Sequence, residues 1–278
     1  LYSRVGNSMS NFSDFIGGGG SASFPTIFLH NSQTWVPPQD GNIMIHVIGA
    51  GGSGCANTDV NFIESGAAGG YCRKNSLAVT TSGSFTVTIG AGGASSINAV
   101  GAGSLGGTTS VSGTGLTAPL RGFGGAGGAL SNNTYTAGGV ATGGDVNYTG
   151  GRGGYAIGGG GVGLAGTGID GGKSLDYRTS FGGRCDILGD FYSSSLGQIS
   201  GSSGGKGIYM NNSQDNAAGE SEAGPLAGAG GTTLFSAASS IVGHASIGGG
   251  GGFCYSNFSG YIHSGRGGQG CVVIQYIP

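Results

Sequence analysis

The sequence predicts an all-β protein in which a small β frame carries an irregular, glycine-rich region with almost no α-helix. Glycine supplies 69 of the 278 residues, whereas its usual share is about 7%. Short stretches alternate β-branched or aromatic residues with polar ones, and no stretch shows the 3.6-residue apolar period of a helix. Because glycine has no side chain to bury, such a chain must find order other than by ordinary core packing.

Four strands are predicted from alternation and from the turns that precede them. A proline pair and an Asp-Gly turn precede the first strand, a Ser-Gly turn precedes the second, and runs of valine and isoleucine mark the last. They are Ile43–Ile48, Phe85–Ile89, Gly107–Ser112 and the closing stretch 270–278. We therefore expect a β frame whose last strand ends the sequence.

Glycine runs of two to five residues dominate the region from Gly122 to Gly252. Collagen is excluded because the chain has only 6 prolines and the run Gly158–Gly161 breaks a glycine triplet. Disorder throughout is disfavoured by 11 tyrosines and 12 phenylalanines. We predict a bundle of polyproline-II-type segments, here polyglycine II, in which glycine lets backbones approach closely. Flexible linker is the alternative.

Changes in glycine content and in strand pattern along the sequence divide the chain into three predicted parts. Residues 1–34 are predicted to be an N-terminal attachment segment, and residues 35–121 a β-rich glycine-repeat region. Residues 122–278 are predicted to hold the polyglycine-II region, its insertions and the closing strand.

Charge and hydropathy restrict the classes of partner. Only 8% of residues are charged and the formal net charge is −2, so nucleic acid would not be attracted strongly. No apolar run approaches the roughly 18 residues of a membrane span, which argues against membrane insertion. The five cysteines form no Cys-x-x-Cys pair and are interpreted as small buried hydrophobic residues.

One stretch, residues 46–55, imitates a dinucleotide-binding fingerprint through Gly49-x-Gly51-x-x-Gly54. A real site needs a helix after the glycines and an acidic residue roughly 20 positions later. Neither is present, since the next acidic residue beyond Glu64 is Asp145. The motif Gly-Ala-Gly-Gly also recurs along the chain, so the fingerprint is interpreted as one copy of a repeat.

Other catalytic patterns are equally incomplete. Residues 168–174 end in Gly-Lys-Ser but lack the first glycine of a phosphate loop, and the four histidines have no ligand spacing. Carboxylate pairs at Asp186 and Asp190, or at Glu220 and Glu222, lie in polar insertions. We therefore expect no catalytic residue, no metal and no cofactor, and we do not expect an enzyme.

Four quoted segments resemble the glycine-rich domain at the ends of bacteriophage tail fibres. They are "TWVPPQDGNIMIHVIGAGGSG", "FTVTIGAGG", "GGDVNYTGGRGG" and "GRGGQGCVVIQYIP", and the likeness covers residues 35–278. The glycine-rich middle is also similar to the adhesins that cap long tail fibres, which carry polyglycine-II helices and receptor-binding loops. The resemblance implies a virion protein outside the cell, joined to a fibre shaft or another virion protein.

The same resemblance implies recognition of a bacterial surface receptor, either an outer-membrane protein or a surface glycan. It leaves a homotrimer and a single capping copy both open. Because the glycine-rich region has few charged side chains, we expect the aromatic insertions between its glycine runs to bind the receptor. The candidate residues are Phe191, Tyr192, Tyr209, Met210, Tyr255, Phe258 and Tyr261. For each, filling a gap in the scaffold is the alternative, and a self-assembling structural filament or matrix protein is the alternative function.

Overall fold

A computed structural model describes residues 25–57, 64–96, 99–130, 135–154, 207–208, 233–235, 247–251, 254–255 and 264–278. All regular structure in these residues is β, which confirms the predicted fold class. In chain order the strands are β1 (Thr26–Leu29), β2 (Gln33–Trp35), β3 (Gly41–Ile48), β4 (Ala56–Asn57), β5 (Tyr71–Val79), β6 (Phe85–Thr88), β7 (Thr109–Gly113), β8 (Leu120–Gly122), β9 (Ala141–Thr142), β10 (Val146–Tyr148), β11 (Gly207–Ile208), β12 (Thr233–Phe235), β13 (Cys254–Tyr255) and β14 (Cys271–Ile277).

Two antiparallel sheets form the frame, with strand orders β1-β14-β3-β5-β10 and β2-β6-β7-β8-β9. The closing strand β14 lies inside the first sheet, with Val272 opposite Val47. In the second sheet Trp35 lies opposite Phe85, and their ring centroids are 5.5 Å apart. Residues from opposite ends of the sequence are therefore neighbours in the frame.

The hydrophobic core lies between the two sheets and follows the alternation of their strands. Residues of β3 with odd numbers, such as Ile45 and Val47, point into it, whereas His46 between them does not. The buried side chains of this core are Leu29, Trp35, Ile43, Ile45, Val47, Cys72, Leu77, Val79, Phe85, Val87, Val111, Leu120, Val272, Ile274 and Tyr276. The period-two pattern of the sequence thus selects the inner face of each sheet.

Three of the predicted strands differ slightly from those observed, and the glycine-rich segments explain the second and third differences. The first begins two residues early at Gly41, the second ends at Thr88, and the third begins at Thr109 instead of Gly107. At Gly90 and Gly107 the chain leaves the sheets and packs backbone against backbone, where Ala50 donates a hydrogen bond to the Gly107 carbonyl. The glycine region therefore shortens the strands at the ends that face it.

Nine extended segments beside the sheets form a lattice of backbone hydrogen bonds. They span residues 49–55, 64–70, 90–96, 101–107, 122–128, 136–140, 150–154, 247–251 and 264–270. Eight of the nine overlap a strand of the two sheets, adjoin it, or are separated from it by one residue. We call residues 49–55, which continue β3, the central segment, and residues 122–128, which continue β8, the edge segment.

Donors of the central segment bond three neighbours in strict rotation. The N–H groups of residues 49, 52 and 55 donate to segment 64–70, those of residues 50 and 53 donate to segment 101–107, and those of residues 51 and 54 donate to segment 264–270. Every third residue therefore serves the same neighbour. This repeat equals the three residues per turn of a polyproline-II-type helix, and the finer polyglycine-II assignment stays a prediction.

Carbonyl groups of the central segment accept from three further segments. Ala50 and Ser53 accept from the edge segment, Gly51 accepts from segment 90–96, and Gly52 accepts from segment 247–251. The central segment thus has six neighbours, and it is buried along its whole length. All seven of its N–H groups and four of its carbonyl groups are bonded to other backbone, as burial favours.

Glycine makes this close packing possible. A Cβ atom added to Gly52 would lie within 3 Å of the backbone of Ala126, and one added to Gly66 would lie equally close to the backbone of Gly52. At such positions a side chain would need the space that a neighbouring backbone occupies. The glycine content of the sequence therefore supplies the packing surface of the lattice.

Four short strands pair in parallel beside the lattice, in the order β11-β12-β13-β4. Strand β4 directly follows the central segment, and its Asn57 is in register with Tyr255 of β13. These pairs bring residues far apart in sequence to one side of the molecule.

Cys55, Cys72 and Cys271 are buried, as the sequence predicts for small hydrophobic residues. Burial raises the pKa of both Cys72 and Cys271 to about 12. The described residues contain no helix that is long and apolar enough to cross a membrane.

Candidate functional site

One end of the lattice gathers the connections between its segments, and we call this end the tip. The central segment runs antiparallel to segment 64–70, with Gly49 bonded to Gly70 beside the sheets and Cys55 bonded to Glu64 far from them. Residues 58–63, which connect these two segments, therefore leave and re-enter the lattice at the end away from the sheets.

Three other connections leave from the same tip. The bond from Ser264 to Ser96 aligns the start of segment 264–270 with the end of segment 90–96, and Gly54 donates to Gly265 at the same level. By the same reasoning, the segment ends that bound four connections lie at the tip. These connections are residues 58–63, 97–100, 129–135 and 252–263.

Segment 150–154 is the ninth segment with an end at the tip. Gly154 accepts from Ser65, so segment 150–154 ends there and the chain continues into residues 155–246. It re-enters at residue 247 beside the sheets, where Gly248 donates to Gln269.

The first and last described residues lie at the opposite pole. Strand β14 starts next to the lattice at Cys271 and runs away from it, and Thr26 of β1 is paired with Gln275 near the far end of β14. The Pro25 carbonyl accepts from the Tyr276 N–H at this pole. The sheets therefore separate the start of the described chain from the tip.

The candidate binding residues predicted from the sequence belong to the insertions between lattice segments. Tyr255 lies in β13, where its backbone is in register with Asn57 and Phe235. Phe258 and Tyr261 belong to the connection 252–263, which starts and ends at the tip, and they lie outside the described residues. Phe191, Tyr192, Tyr209 and Met210 lie between residues 154 and 247 and are also outside the described residues.

Polar side chains hold the tip ends of the segments together. The Ser264 hydroxyl accepts from the Ser96 N–H at 2.9 Å, and the Thr136 hydroxyl donates to the Ser65 carbonyl at 2.7 Å. The Glu64 N–H donates to the Cys55 sulfur at 3.0 Å, and the Glu64 side chain is buried. The Glu64–Cys55 bond joins the two ends of connection 58–63, and the other two bonds join the ends of different connections to one another.

An aromatic residue with a cation marks the tip beside the connection 129–135. The guanidinium carbon of Arg152 lies 5.9 Å from the ring centroid of Tyr135, a cation–π distance. Both residues are at least partly exposed. Sequence reasoning missed this pair because its members lie in different segments, and no local spacing signals their approach.

A second polar cluster lies on the outer face of the first sheet. The His46 Nδ1 atom lies 2.8 Å from the Tyr71 hydroxyl, and its Nε2 atom lies 3.1 Å from the Gln275 side-chain oxygen. The Tyr71 ring stacks on Tyr148 with centroids 6.1 Å apart. The pKa of His46 is lowered to about 4, mainly by burial and to a smaller extent by the charge of Arg73, while the Gln275 hydrogen bond opposes the shift.

This outer-face cluster holds a neutral imidazole at physiological pH. The Gln275 oxygen can only accept, so Nε2 carries the proton and Nδ1 accepts from the Tyr71 hydroxyl. With both nitrogens engaged, the ring joins β3, β5 and β14. Its geometry is that of a structural bridge across three strands.

Glycines of the apparent nucleotide fingerprint belong to the central segment. Gly49 bonds segment 64–70, Gly51 bonds segment 264–270, and the two-residue strand β4 follows them instead of a helix. Each is surrounded by other backbone. In the described part of the chain, no three histidine, cysteine, aspartate or glutamate side chains are grouped as metal ligands would be.

A comparison with protein families matches nearly the whole range of the two sheets and the lattice. A family model described as a glycine-rich domain matches residues 27–277. The chain belongs to this family of glycine-rich domains. No curated protein matches it significantly. The glycine-rich domain begins within β1 and ends with the last residue of β14, so both antiparallel sheets and all nine lattice segments belong to it.

Proposed function

We propose that the protein is a receptor-binding module of a bacteriophage tail-fibre tip, which recognises the host surface through the connections at its lattice tip. The observation that supports this most is the separation of its two poles. The described chain starts behind the sheets, whereas four connections and the start of residues 155–246 emerge at the other end. One pole can attach to a fibre while the other faces a cell.

Construction of the lattice supports the same role. Each connection is anchored at both ends by backbone hydrogen bonds, such as those from Gly54 to Gly265 and from Gly66 to Gly251. A binding segment whose ends are fixed loses less conformational entropy on binding than a free one. The connection 252–263 supplies Tyr255, Phe258 and Tyr261, which are rigid aromatic side chains suited to protein or sugar receptors.

The resemblance of residues 35–278 to tail-fibre domains supports the viral setting and a fibre-shaft partner. The proposed receptor is an outer-membrane protein or a surface glycan. The proposed activity is binding without catalysis, in the virion and outside the cell, and the seven aromatic and methionine candidates remain its proposed contacts.

The test replaces Tyr255, Phe258 and Tyr261 together with serine and measures saturable binding of the labelled protein to a panel of intact bacterial strains. We expect the triple variant to lose strain-selective binding. The urea concentration at the midpoint of its unfolding should equal that of the wild-type protein. A matched control replaces Phe28 and Val36, exposed apolar residues outside the lattice, with serine and should keep wild-type binding. Undiminished binding by the triple variant would contradict the role of connection 252–263.

Treatment of the cells separates the two receptor classes. Loss of binding after surface proteolysis would identify a protein receptor, and loss after glycan removal would identify a glycan. A folded wild-type protein that binds none of the strains, including hosts of tail-fibre phages, would contradict the proposed function as a whole.

A further inference from the structure

Segment 64–70, which we call the return segment, is buried along its whole length, as the central segment is. Six neighbours surround the central segment. Among the described residues, the return segment is bonded to five segments: the central segment, the edge segment and segments 136–140, 150–154 and 247–251. One position beside the return segment therefore has no described occupant.

This position lies between segments 150–154 and 247–251, and we call it the slot. The five neighbours form an arc around the return segment, from segment 247–251 through the central segment, the edge segment and segment 136–140 to segment 150–154. Each successive pair in this arc is joined by a backbone hydrogen bond. In the described part of the chain, no bond joins the two ends of the arc, so the slot separates them.

Carbonyl groups of the return segment face the slot at every third residue. Gly66 and Gly69 donate to segment 247–251, and in the central and edge segments a residue that donates to one neighbour accepts from an adjacent one. The neighbours adjacent to segment 247–251 are the central segment and the slot. The central segment is bonded to the other carbonyls of the repeat, those of residues 64, 67 and 70. The Gly66 and Gly69 carbonyls therefore point to the slot.

Segment 150–154 directs donors to the slot by the same rotation. Its Gly150 and Gly153 donate to segment 136–140, whereas the carbonyls of Gly151 and Gly154 accept from the return segment. The N–H groups of Gly151 and Gly154 have no partner among the described residues, and the slot is the remaining adjacent position. All the glycines that line the slot are buried. Buried backbone donors and acceptors are almost always paired, so the slot must hold groups that pair with them.

Side chains of Ser65 and Ala68 also point to the slot. A Cβ atom added to Gly66 would lie against the central segment, and one added to Gly70 would lie against segment 136–140. The third residue of the repeat therefore directs its side chain to the slot. The Ser65 hydroxyl is buried and has no hydrogen-bond partner among the described residues, so it is a further polar group that the occupant can satisfy.

The slot differs from the outer sides of the lattice, which are partly exposed. Gly124 and Gly127 of the edge segment are partly exposed, and so are Gly92 and Ser96 of another segment. The glycines that line the slot and Ser65 are instead buried within a single chain. Because this burial needs no partner molecule, the occupant of the slot belongs to this chain.

The tip connections indicate which part of the chain occupies the slot. Each of the four joins two adjacent segments that run in opposite directions, as residues 58–63 join the central and return segments. Segment 150–154 also runs toward the tip, and the slot is adjacent to it. The first glycine run beyond it is Gly158–Gly161, after the three residues 155–157. Connection 97–100 crosses between two segments with four residues, so a link of similar length can reach the slot.

We propose that the run Gly158–Gly161 fills the slot as a tenth lattice segment, antiparallel to segment 150–154. The N–H groups of its two end residues are three positions apart, as are the Gly66 and Gly69 carbonyls. Because the run has no Cβ atoms, it can approach the side chain of Ala68 closely.

This packing is independent of any receptor, and it changes where the long insertion begins. Residues 155–157 would be fixed at both ends, like the four tip connections. Residues 162–246, which hold four of the seven candidate binding residues, would leave the lattice beside the sheets and not at the tip.

The first test records nuclear Overhauser effects in the whole protein, labelled with carbon-13 in its alanine methyl groups and its glycines. We expect contacts between the Ala68 methyl protons and the α protons of Gly158–Gly161. Ala67 is the internal control, because its place in the repeat directs its methyl group to segment 136–140. Contacts of Ala68 with another glycine run, such as residues 228–231, or no contacts with Gly158–Gly161, would overturn the proposal.

The second test adds side chains to the run. Gly158→Val with Gly161→Val should exclude the run from the slot, so that hydrogen exchange of the Gly151 and Gly154 amides becomes at least about tenfold faster. The Gly150 amide, which is bonded within the described lattice, should keep its exchange rate.

The matched control is Gly171→Val with Gly172→Val, a glycine pair farther along the insertion. It should leave the exchange rates of Gly151 and Gly154 unchanged. Unchanged rates in a folded variant with valine at positions 158 and 161 would overturn the proposal. If that variant does not fold, the Ala68 contacts in the wild-type protein decide the outcome.

Discussion

The Tyr71 hydroxyl lies 2.8 Å from Nδ1 of His46, and the two residues come from neighbouring strands of the first sheet. Burial holds this imidazole in its neutral form and lowers its pKa from 6.5 to about 4. In the unfolded chain this histidine binds a proton below about pH 6.5. In the folded chain it binds that proton only below about pH 4. Stability must therefore fall as the pH is lowered through this window.

The full shift corresponds to about 3 kcal/mol of unfolding free energy, present above pH 6.5 and lost by about pH 4. We expect His46→Gln to remove most of this pH dependence in urea titrations between pH 7 and pH 4. His30→Gln, a substitution of an exposed histidine, serves as the control and should retain the pH dependence of stability. An unchanged slope in His46→Gln would contradict the assignment of the window to this residue.

The lattice predicts a large difference between two glycine-to-alanine substitutions. A Cβ at Gly52 would meet the backbone of Ala126, so we expect Gly52→Ala to cost about 3 kcal/mol or more, or to prevent folding. At Gly101 the nearest atom to an added Cβ is the Ser96 hydroxyl oxygen at 3.3 Å. Gly101→Ala should therefore change stability by less than about 1 kcal/mol.

Fluorescence of Trp35, which is the chain's single tryptophan and is buried, reports unfolding of both variants. Equal stability of the two variants would mean that the central segment can move away from its neighbours. It would contradict close packing of backbone as the reason for glycine at position 52.

Buried thiols should resist modification until the protein unfolds. With pKa values of about 12, Cys72 and Cys271 are about one part in 10,000 thiolate at pH 8. In a variant carrying Cys185→Ser and Cys254→Ser, we expect no reaction of the remaining three thiols with a thiol reagent at pH 8 in native buffer. Mass spectrometry of the labelled protein identifies any site, and rapid labelling of Cys72 in native buffer would contradict its burial.

The Tyr135–Arg152 pair should contribute a small coupling free energy at the tip. A double-mutant cycle with Tyr135→Leu and Arg152→Met should give about 0.5 to 1 kcal/mol, as expected for an exposed cation–π contact. Arg121→Met, at an exposed arginine in β8, should show no coupling to Tyr135→Leu. A coupling near zero for Arg152 would show that the two side chains act independently.

Sequence patterns predicted the elements that depend on neighbours in the chain. Alternation identified β3 and β6, because a strand with one face in a core repeats every two residues. A run of β-branched residues identified β14. Strands β8, β9 and β10 were missed, since each has only two or three residues and lies among glycines. Glycine carries no side-chain pattern from which a strand could be predicted.

Partners in the lattice could not be predicted from the sequence at all. Gly51 donates to Gly268 and accepts from Gly93. The glycine runs of the chain are so similar in composition that the sequence does not distinguish these two from the others as partners. The register follows instead from the sheets, which align the start of each segment. Candidate binding residues were predicted from aromatic content alone, and six of the seven lie outside the described residues, so their roles stay predictions.

The separation of the two poles has a mechanical consequence. A pull between the start of β1 and the tip would act along the lattice segments and along β14, whereas their hydrogen bonds lie across this direction. The bonds from Gly49, Gly52 and Cys55 to one neighbour would then carry load together in shear, because none can open before the others slide. A particle tethered through this domain would be held by bonds that break as a group and not one at a time.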